Sequence, residues 1–207
     1  MELEYYTARP ENAVLDGNGN LVITALREVF MNSSYTSARL ETARHFSQAY
    51  GRFESRIRLP GGQGLWPAFW MLGDNIGQVG WPGCGEIDIM ENRGDRPTIN
   101  SGSMHGPGYS GASALTNRYT LPVGQTFTSD FHVFAVEWEV GVVRFYVDDN
   151  LYETRTPADT PGRTWVFDHP FTLIMNVAVG GTFSGNPTAA TVFPQTMTVD
   201  YVRVYSR

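Results

Sequence analysis

The apolar residues of this chain come in short runs in which they alternate with polar ones. Clusters of glycine, proline, asparagine and aspartate separate the runs. Side chains on a strand point alternately to its two faces, so this pattern predicts strands. The runs are Asn20–Leu26, Ser47–Leu59, Pro67–Leu72, Glu86–Asn92, Phe131–Trp138, Val142–Val147, Phe171–Val179 and Thr196–Tyr205. Val133, Ala135 and Glu137 oppose Phe134, Val136 and Trp138; Val199, Tyr201 and Arg203 oppose Asp200, Val202 and Val204. Asp149-Asn150 reads as a hairpin turn between two of the runs. No window carries a sustained helical stripe, so helix should be scarce. Closely spaced short strands, with no repeat and no linker, predict one all-β domain over residues 1–207. The expected architecture is a sandwich of two antiparallel sheets. Gly73–Gly85 and Gly106–Gly124 are the longest stretches without a strand pattern, and long loops in compact domains tend to carry function.

With 207 residues, 42% of them hydrophobic, the chain can bury a sizeable core. A net charge of −6 argues against nucleic acid as a partner. All 15 basic residues are arginine, which reads as coding bias and not as function. The single Cys84 excludes an internal disulfide and any cysteine-based zinc cluster, and beside Gly83 and Gly85 it reads as a small buried residue. No stretch approaches the roughly 18 apolar residues of a membrane span. No signal peptide is visible at the start, which a mature secreted protein would share.

Within this β pattern, Glu86-Ile87-Asp88-Ile89-Met90-Glu91 sets three carboxylates on one strand with no Lys or Arg between them. Glu86 and Asp88 share a face. Plain alternation turns Glu91 to the other, and one extra residue, a bulge at Ile89 or Met90, brings it back. Unrelieved like charge on one face is tolerated mainly where it does chemistry. A retaining glycosidase needs such a pair, one carboxylate attacking the anomeric carbon and one protonating the leaving oxygen, about 5–5.5 Å apart. Asp88 between them would share a proton and tune both. The competing reading is a calcium site or a solvated acidic edge, although calcium loops favour Asn, Asp and Gly over Ile and Met.

The neighbourhood favours a sugar. Trp66 and Trp70, four apart in Gly64–Trp70, fall on one strand face, and Trp81 lies in the loop before the carboxylates. Flat rings suit the apolar faces of sugars, whereas a tryptophan taken singly belongs to a core. Glu54 and Arg56 share a face and could bond sugar hydroxyls or simply each other. His105 could contact substrate, steady a carboxylate or act as a structural hydrogen-bonding histidine.

Together, Gly85–Asn92 and Gly64–Trp70 resemble glycoside hydrolase family 16, and more narrowly its bacterial laminarinases, endo-1,3-β-glucanases. Leu3–Thr7, Tyr35–Arg39, Tyr50–Glu54, Gly80–Pro82, Met104–Tyr109, Asn176–Gly181 and Val199–Tyr205 extend the resemblance over essentially the whole chain. It implies a concanavalin A-like jelly roll with a concave glucan cleft. Glu86 matches the nucleophile, Glu91 the general acid/base and Asp88 the assisting carboxylate. The extra Met90 marks the laminarinase-like spacing that lichenases lack. Substrate contacts are implied for Glu54, Arg56, Trp66, Trp70, Trp81, His105 and Asn176.

Family members carry about a strand and a half before the Leu3–Thr7 segment, with a cleft asparagine and part of a calcium site. Asp200 matches that site's carboxylate ligand and Gly19 lies near its backbone ligand. This chain opens at Met1, so the resemblance leaves structural calcium in doubt and implies an unpaired sheet edge, an association hazard for an otherwise monomeric protein. The resulting expectation is a secreted, retaining endo-1,3-β-glucanase with no required cofactor, acting on β-glucan, without nucleic-acid or membrane partners. Mixed-linkage 1,3-1,4-β-glucanase and a non-catalytic carbohydrate-binding protein of the same fold are the alternatives.

Overall fold

The computed structural model describes residues 2–206. In chain order its strands are β1 Glu4–Tyr6, β2 Ala13–Leu15, β3 Leu21–Ala25, β4 Tyr35–Ser37, β5 Arg39–Glu41, β6 Gly51–Arg58, β7 Leu65–Gly73 and β8 Glu86–Glu91. Then come β9 Ile99–His105, β10 Leu115–Thr120, β11 His132–Glu139, β12 Val142–Val147, β13 Asn150–Arg155, β14 Phe171–Val179 and β15 Gln195–Tyr205. Helix among the described residues is limited to short turns, as at Ile76–Val79 and Gly181–Ser184.

β1 and β4 pair in parallel by themselves, and the other thirteen strands form two large sheets, of which one is six-stranded and antiparallel in the order β10-β9-β8-β7-β14-β5. A seven-stranded antiparallel sheet has the order β13-β12-β11-β6-β15-β3-β2. The predicted two-sheet sandwich is the structure. The alternation in β11 drives Phe134, Val136 and Trp138 into the space between the sheets, where they meet Phe53 and Ile57 of β6. The facing sheet contributes Phe69 and Met71, Ile87, Ile89 and Met90, Met104, and Phe171 and Val177. The Trp138 ring meets Phe171 edge-on across the core at 5.2 Å, and its Nε1–H donates to the carbonyl of Phe167. Each such side chain contributes about 1.5–3 kcal/mol through burial.

The structure has strands outside the eight predicted runs, β9 among them, and differs from the sequence pattern in further places. Asp148 and Asp149, with φ of 49° and 62°, are the turn of the β12–β13 hairpin, and Asn150 already begins β13. Two positive φ values make a turn whose twist matches the strands it joins. In β15, Val199 pairs with Ile57 and Tyr201 with the adjacent Arg56, so Asp200 is an extra residue. Strict alternation therefore breaks there, and both Val199 and Val204 pack on the core. The stretch Gly106–Gly124, expected as loop, contains β10.

The flank of β14 is covered along its length, while β5 and β10 remain the edge strands of the six-stranded sheet. Beside the three-residue β5, Phe171 exchanges backbone hydrogen bonds with Gln48, and Thr42 bonds both the carbonyl and the N–H of Leu173. At the far end of β14, Leu3 N–H donates to the Val179 carbonyl and Val179 N–H to Glu4 Oε2.

Candidate active site

Register across the six-stranded sheet gathers the functional residues into transverse rows on its open face. Arg118, Ser101, Glu91, Ala68, Asn176 and Arg39 lie directly opposite one another on successive strands. Thr116, Ser103, Asp88, Trp70, Ile174 and Glu41 form the next row, and His105, Glu86, Leu72 and Thr172 the third. Strands are spaced about 4.8 Å apart, so six of them make a track about 24 Å long, the length of several sugar units.

Each carboxylate belongs to a different row, Glu86 and Asp88 by plain alternation and Glu91 because β8 carries a bulge. Asp88 pairs with Ser103 and Glu91 with Ser101, three residues against two. On the other side Trp70 pairs with Asp88 and Phe69 with Met90, which leaves Ile89 extra. Ile87, Ile89 and Met90 are all fully buried, so the irregularity costs no apolar contact while it returns Glu91 to the open face. Gly85, just before Glu86, has a φ of 74°, and a Cβ there would lie 2.9 Å from the Phe171 ring. Only glycine lets the strand start against that ring.

The three carboxyls share one pocket with Trp66, Trp70, Asn176, Arg39 and Tyr6. Burial, then the neighbouring Asp88 charge, pushes Glu86 up to about 8. Burial likewise raises Asp88, and it raises Glu91 well above the usual carboxylate range, with the charges of Asp88 and Glu86 adding to it. His105 and an indole N–H temper both glutamates, and Arg39 adds to this at Glu86. Trp81 Nε1–H donates to Glu86 Oε2 at 3.0 Å, and His105 and the Arg39 charge also favour its ionised form. Glu91 receives an indole N–H, from Trp66 to Oε1 at 3.0 Å, and His105 favours its ionised form as well.

His105 closes the triad. The Gly111 backbone N–H donates to its Nδ1 at 3.0 Å. A backbone amide can only donate, so Nδ1 must accept and the ring proton sits on Nε2. Nε2 lies 2.9 Å from Asp88 Oδ2 and 3.5 Å from Glu86 Oε1. Glu86, Asp88 and His105 bring potential metal-ligand atoms within 4.8 Å of one another. A protonated Nε2 has no lone pair to offer, so the trio is poorly suited to a metal.

The structure brings together Glu86, Asp88, Glu91, Trp66, Trp70, Trp81, His105 and Asn176. The tryptophans act through their N–H groups as well as their faces: Trp70 Nε1–H donates to Asn176 Oδ1 at 2.8 Å. Asn176 Nδ2 in turn donates to the Tyr6 hydroxyl at 3.1 Å, which fixes the orientation of the amide. The guanidinium of Arg39 lies 4.6 Å over the Trp70 ring. Sequence reasoning missed Tyr6 and Arg39 as site residues. Their one signal was that both fall in the segments matching family 16.

Glu54 and Arg56 are not in this site. They sit on β6 of the seven-stranded sheet and face away from the core, because Phe53, Ser55 and Ile57 alternate inward. Glu54 accepts from Arg52 Nε at 2.8 Å, and Arg56 Nη1 donates to Asp200 Oδ2 at 2.7 Å. The alternative given for them, a surface ion pair, is close to the finding, although each has a different partner. That pairing also bears on calcium. Asp200 already faces a guanidinium, and Gly19, in the turn between β2 and β3, can add only a carbonyl. The ion takes six to eight oxygens, so the residues present do not fit it.

Residues 2–203 match the sequence profile of glycosyl hydrolases family 16. The chain is 46% identical to a β-glucanase of Rhodothermus marinus, over 99% of this chain and 74% of that protein. It superposes on the laminarinase catalytic domain of Thermotoga maritima with a TM-score of 0.96 and 51% identity, covering 100% of this chain and 84% of the other. A non-specific endo-β-1,3(4)-glucanase, SCLam, gives 0.88 at 36% identity, over 100% and 82%.

Proposed function

The chain belongs to glycosyl hydrolases family 16, and on that footing we propose that it is a retaining endo-1,3-β-glucanase acting on laminarin-like polymers. One observation carries the proposal. Three carboxyls stand on one face of β8, brought into phase by a bulge and left without a salt-bridged arginine.

Their surroundings assign the roles. Two environments that push like groups apart in acidity make one the nucleophile and one the proton carrier. Glu86, whose ionised form the Arg39 charge favours, is the group that ionises and attacks the anomeric carbon. As that bond forms, the glycosidic C–O bond breaks and enclosed Glu91 gives its proton to the leaving oxygen. Glu91 then takes a proton from water, whose oxygen displaces Glu86 and restores the β configuration. Asp88 holds the proton that Glu86 must shed. No step calls for a cofactor, and calcium has no part in the proposal.

We further propose that the enzyme works outside the cell as a monomer, the contacts along the flank of β14 leaving only the short β5 on that side. SCLam is described as non-specific for 1,3 and 1,4 linkages, which supports a second reading, mixed-linkage cleavage on the same face. A purely carbohydrate-binding role would not require three retained carboxyls. Reducing-sugar release from laminarin, lichenan and agarose at matched concentration separates these readings. Laminarin should be fastest, and the first sugar seen by proton NMR should be the β anomer. Initial α anomer would overturn the mechanism.

A further inference from the structure

Beyond Glu91 the first row runs through Ser101 to Arg118, two strands and about 10 Å away on the side opposite Asn176. A groove there is lined by Arg93, Arg96, Ile99, Ser101, Arg118 and Phe183. Arg93 is satisfied, its guanidinium holding both carboxylate oxygens of Asp95 at 3.1 and 3.0 Å. Arg96 and Arg118 have neither a carboxylate nor an aromatic ring as partner among the described residues. Both are exposed.

Three arginines line this one groove, and the one carboxylate that pairs with any of them, Asp95, is held by Arg93, in a chain whose net charge is −6. Their mutual repulsion brings no structural gain, as with the carboxylates on β8. A fork of N–H donors suits the oxygens of a sulfate ester or a carboxylate, and it suits an uncharged hydroxyl less well. The floor beside it, Ser101, belongs to the sheet face that carries the glucan track.

We propose that Arg96 and Arg118 form a subsite for an oxyanion substituent, sulfate or carboxylate, on a sugar bound beyond the scissile bond. The track would then accept anionic β-glucans as well as neutral ones. This rests on the glucanase reading, which laminarin hydrolysis by the unaltered enzyme tests separately.

The test is calorimetric binding to Glu86→Ser protein, which cannot turn ligand over. Laminarihexaose is compared with hexaoses bearing a single carboxylate, or a single sulfate, at one or the other terminus. For one terminus the charged ligand should bind about tenfold more tightly than the neutral one at low salt. That advantage should shrink as salt is added. Arg96→Ala/Arg118→Ala in the same background should bring the ratio of charged to neutral affinity close to one, with an unchanged melting temperature. A difference between the sulfate and carboxylate arms identifies the preferred oxyanion. Equal binding of charged and neutral hexaoses at both termini overturns the subsite. So does an advantage that survives the double substitution.

Discussion

Both sheets turn a face outward, and both faces carry glutamate and aspartate, yet the two treat them oppositely. On the seven-stranded sheet Arg52 reaches Glu54, Glu137 and Asp149, Arg56 reaches Asp200, and Arg144 reaches Glu139. On the six-stranded sheet Glu86, Asp88 and Glu91 have indole N–H groups, one imidazole and one another. Paired charge on a half-exposed face contributes modestly to stability. Unpaired, enclosed charge costs stability and is retained where it performs chemistry. Substitutions should therefore separate activity from stability according to the sheet they fall on.

The widest separation is between two glutamates. Glu86→Ser should lower laminarin turnover by about 10⁵-fold or more, the scale on which a nucleophile is missed. Its melting temperature should hold or rise, because one of three mutually repelling groups is gone. Glu54→Gln should do the reverse. Turnover should stay within about twofold, while stability drops by about 1–2 kcal/mol as Arg52 loses a largely buried partner. Calorimetry and reducing-sugar release on both variants decide it. An inactive Glu54→Gln would return β6 to the site.

Next in size is Glu91→Ala. Proton donation is worth about 10²–10⁴-fold for a poor leaving group and much less for a good one. The loss on laminarin should therefore far exceed the loss on an aryl glycoside with an acidic phenol. Azide should rescue the variant by attacking the intermediate from the vacated side, giving a β-glycosyl azide detectable by mass spectrometry. Equal losses on both substrates, with no azide product, would mean that Glu91 is not the proton carrier.

Met90 tests the bulge beneath these roles. It is fully buried, so Met90→Ala should cost about 2–5 kcal/mol through the cavity it leaves. The residue count is kept, and kcat below the lowered melting temperature should change little. Deleting Met90 removes the one-residue excess and displaces Glu91 by about 1 Å, an error able to cost about 100-fold in rate. Unchanged turnover in a folded deletion variant would show that the bulge does not position the acid/base.

The bulge in β8 was legible because three carboxylates on one strand cannot share a face without it. The bulge at Asp200 was not, since Val, Tyr and Arg tolerate either face and gave no phase to violate. Strand β9, Ile99–His105, reads as polar and glycine-containing, and it forms because β8 and β10 pair with it on both sides. Glu54 and Arg56 show the same limit. Alternation tells which residues share a face of a strand, but the sheet to which that strand belongs is set by contacts distant in sequence. Tyr6 and Arg39 enter the site through β1 and β5, three-residue strands too short for periodicity to reveal.

The smallest expected effect is one of pH. Burial raises Glu86, Asp88 and Glu91 in the folded protein, so between about pH 4.5 and 8 the native state holds more protons than the unfolded chain. Their contribution to stability is complete below the unfolded pKa values and is lost as pH rises through the folded ones. Asp148, lowered by His132 and the Val133 N–H despite its burial, works in the opposite sense, losing its contribution as pH falls through its folded pKa. Asp88→Asn removes one raised group and the charge that helps to raise Glu86. The fall in melting temperature from pH 5 to 8 should flatten, and the acid limb of kcat/KM should move to lower pH, because Glu86 then ionises more easily. The Asp148 limb at low pH should not change. Profiles of kcat/KM and melting temperature against pH check both halves. An acid limb that stays put or moves up would mean that Asp88 does not bear on Glu86, and that the open face owes its acidity to burial alone.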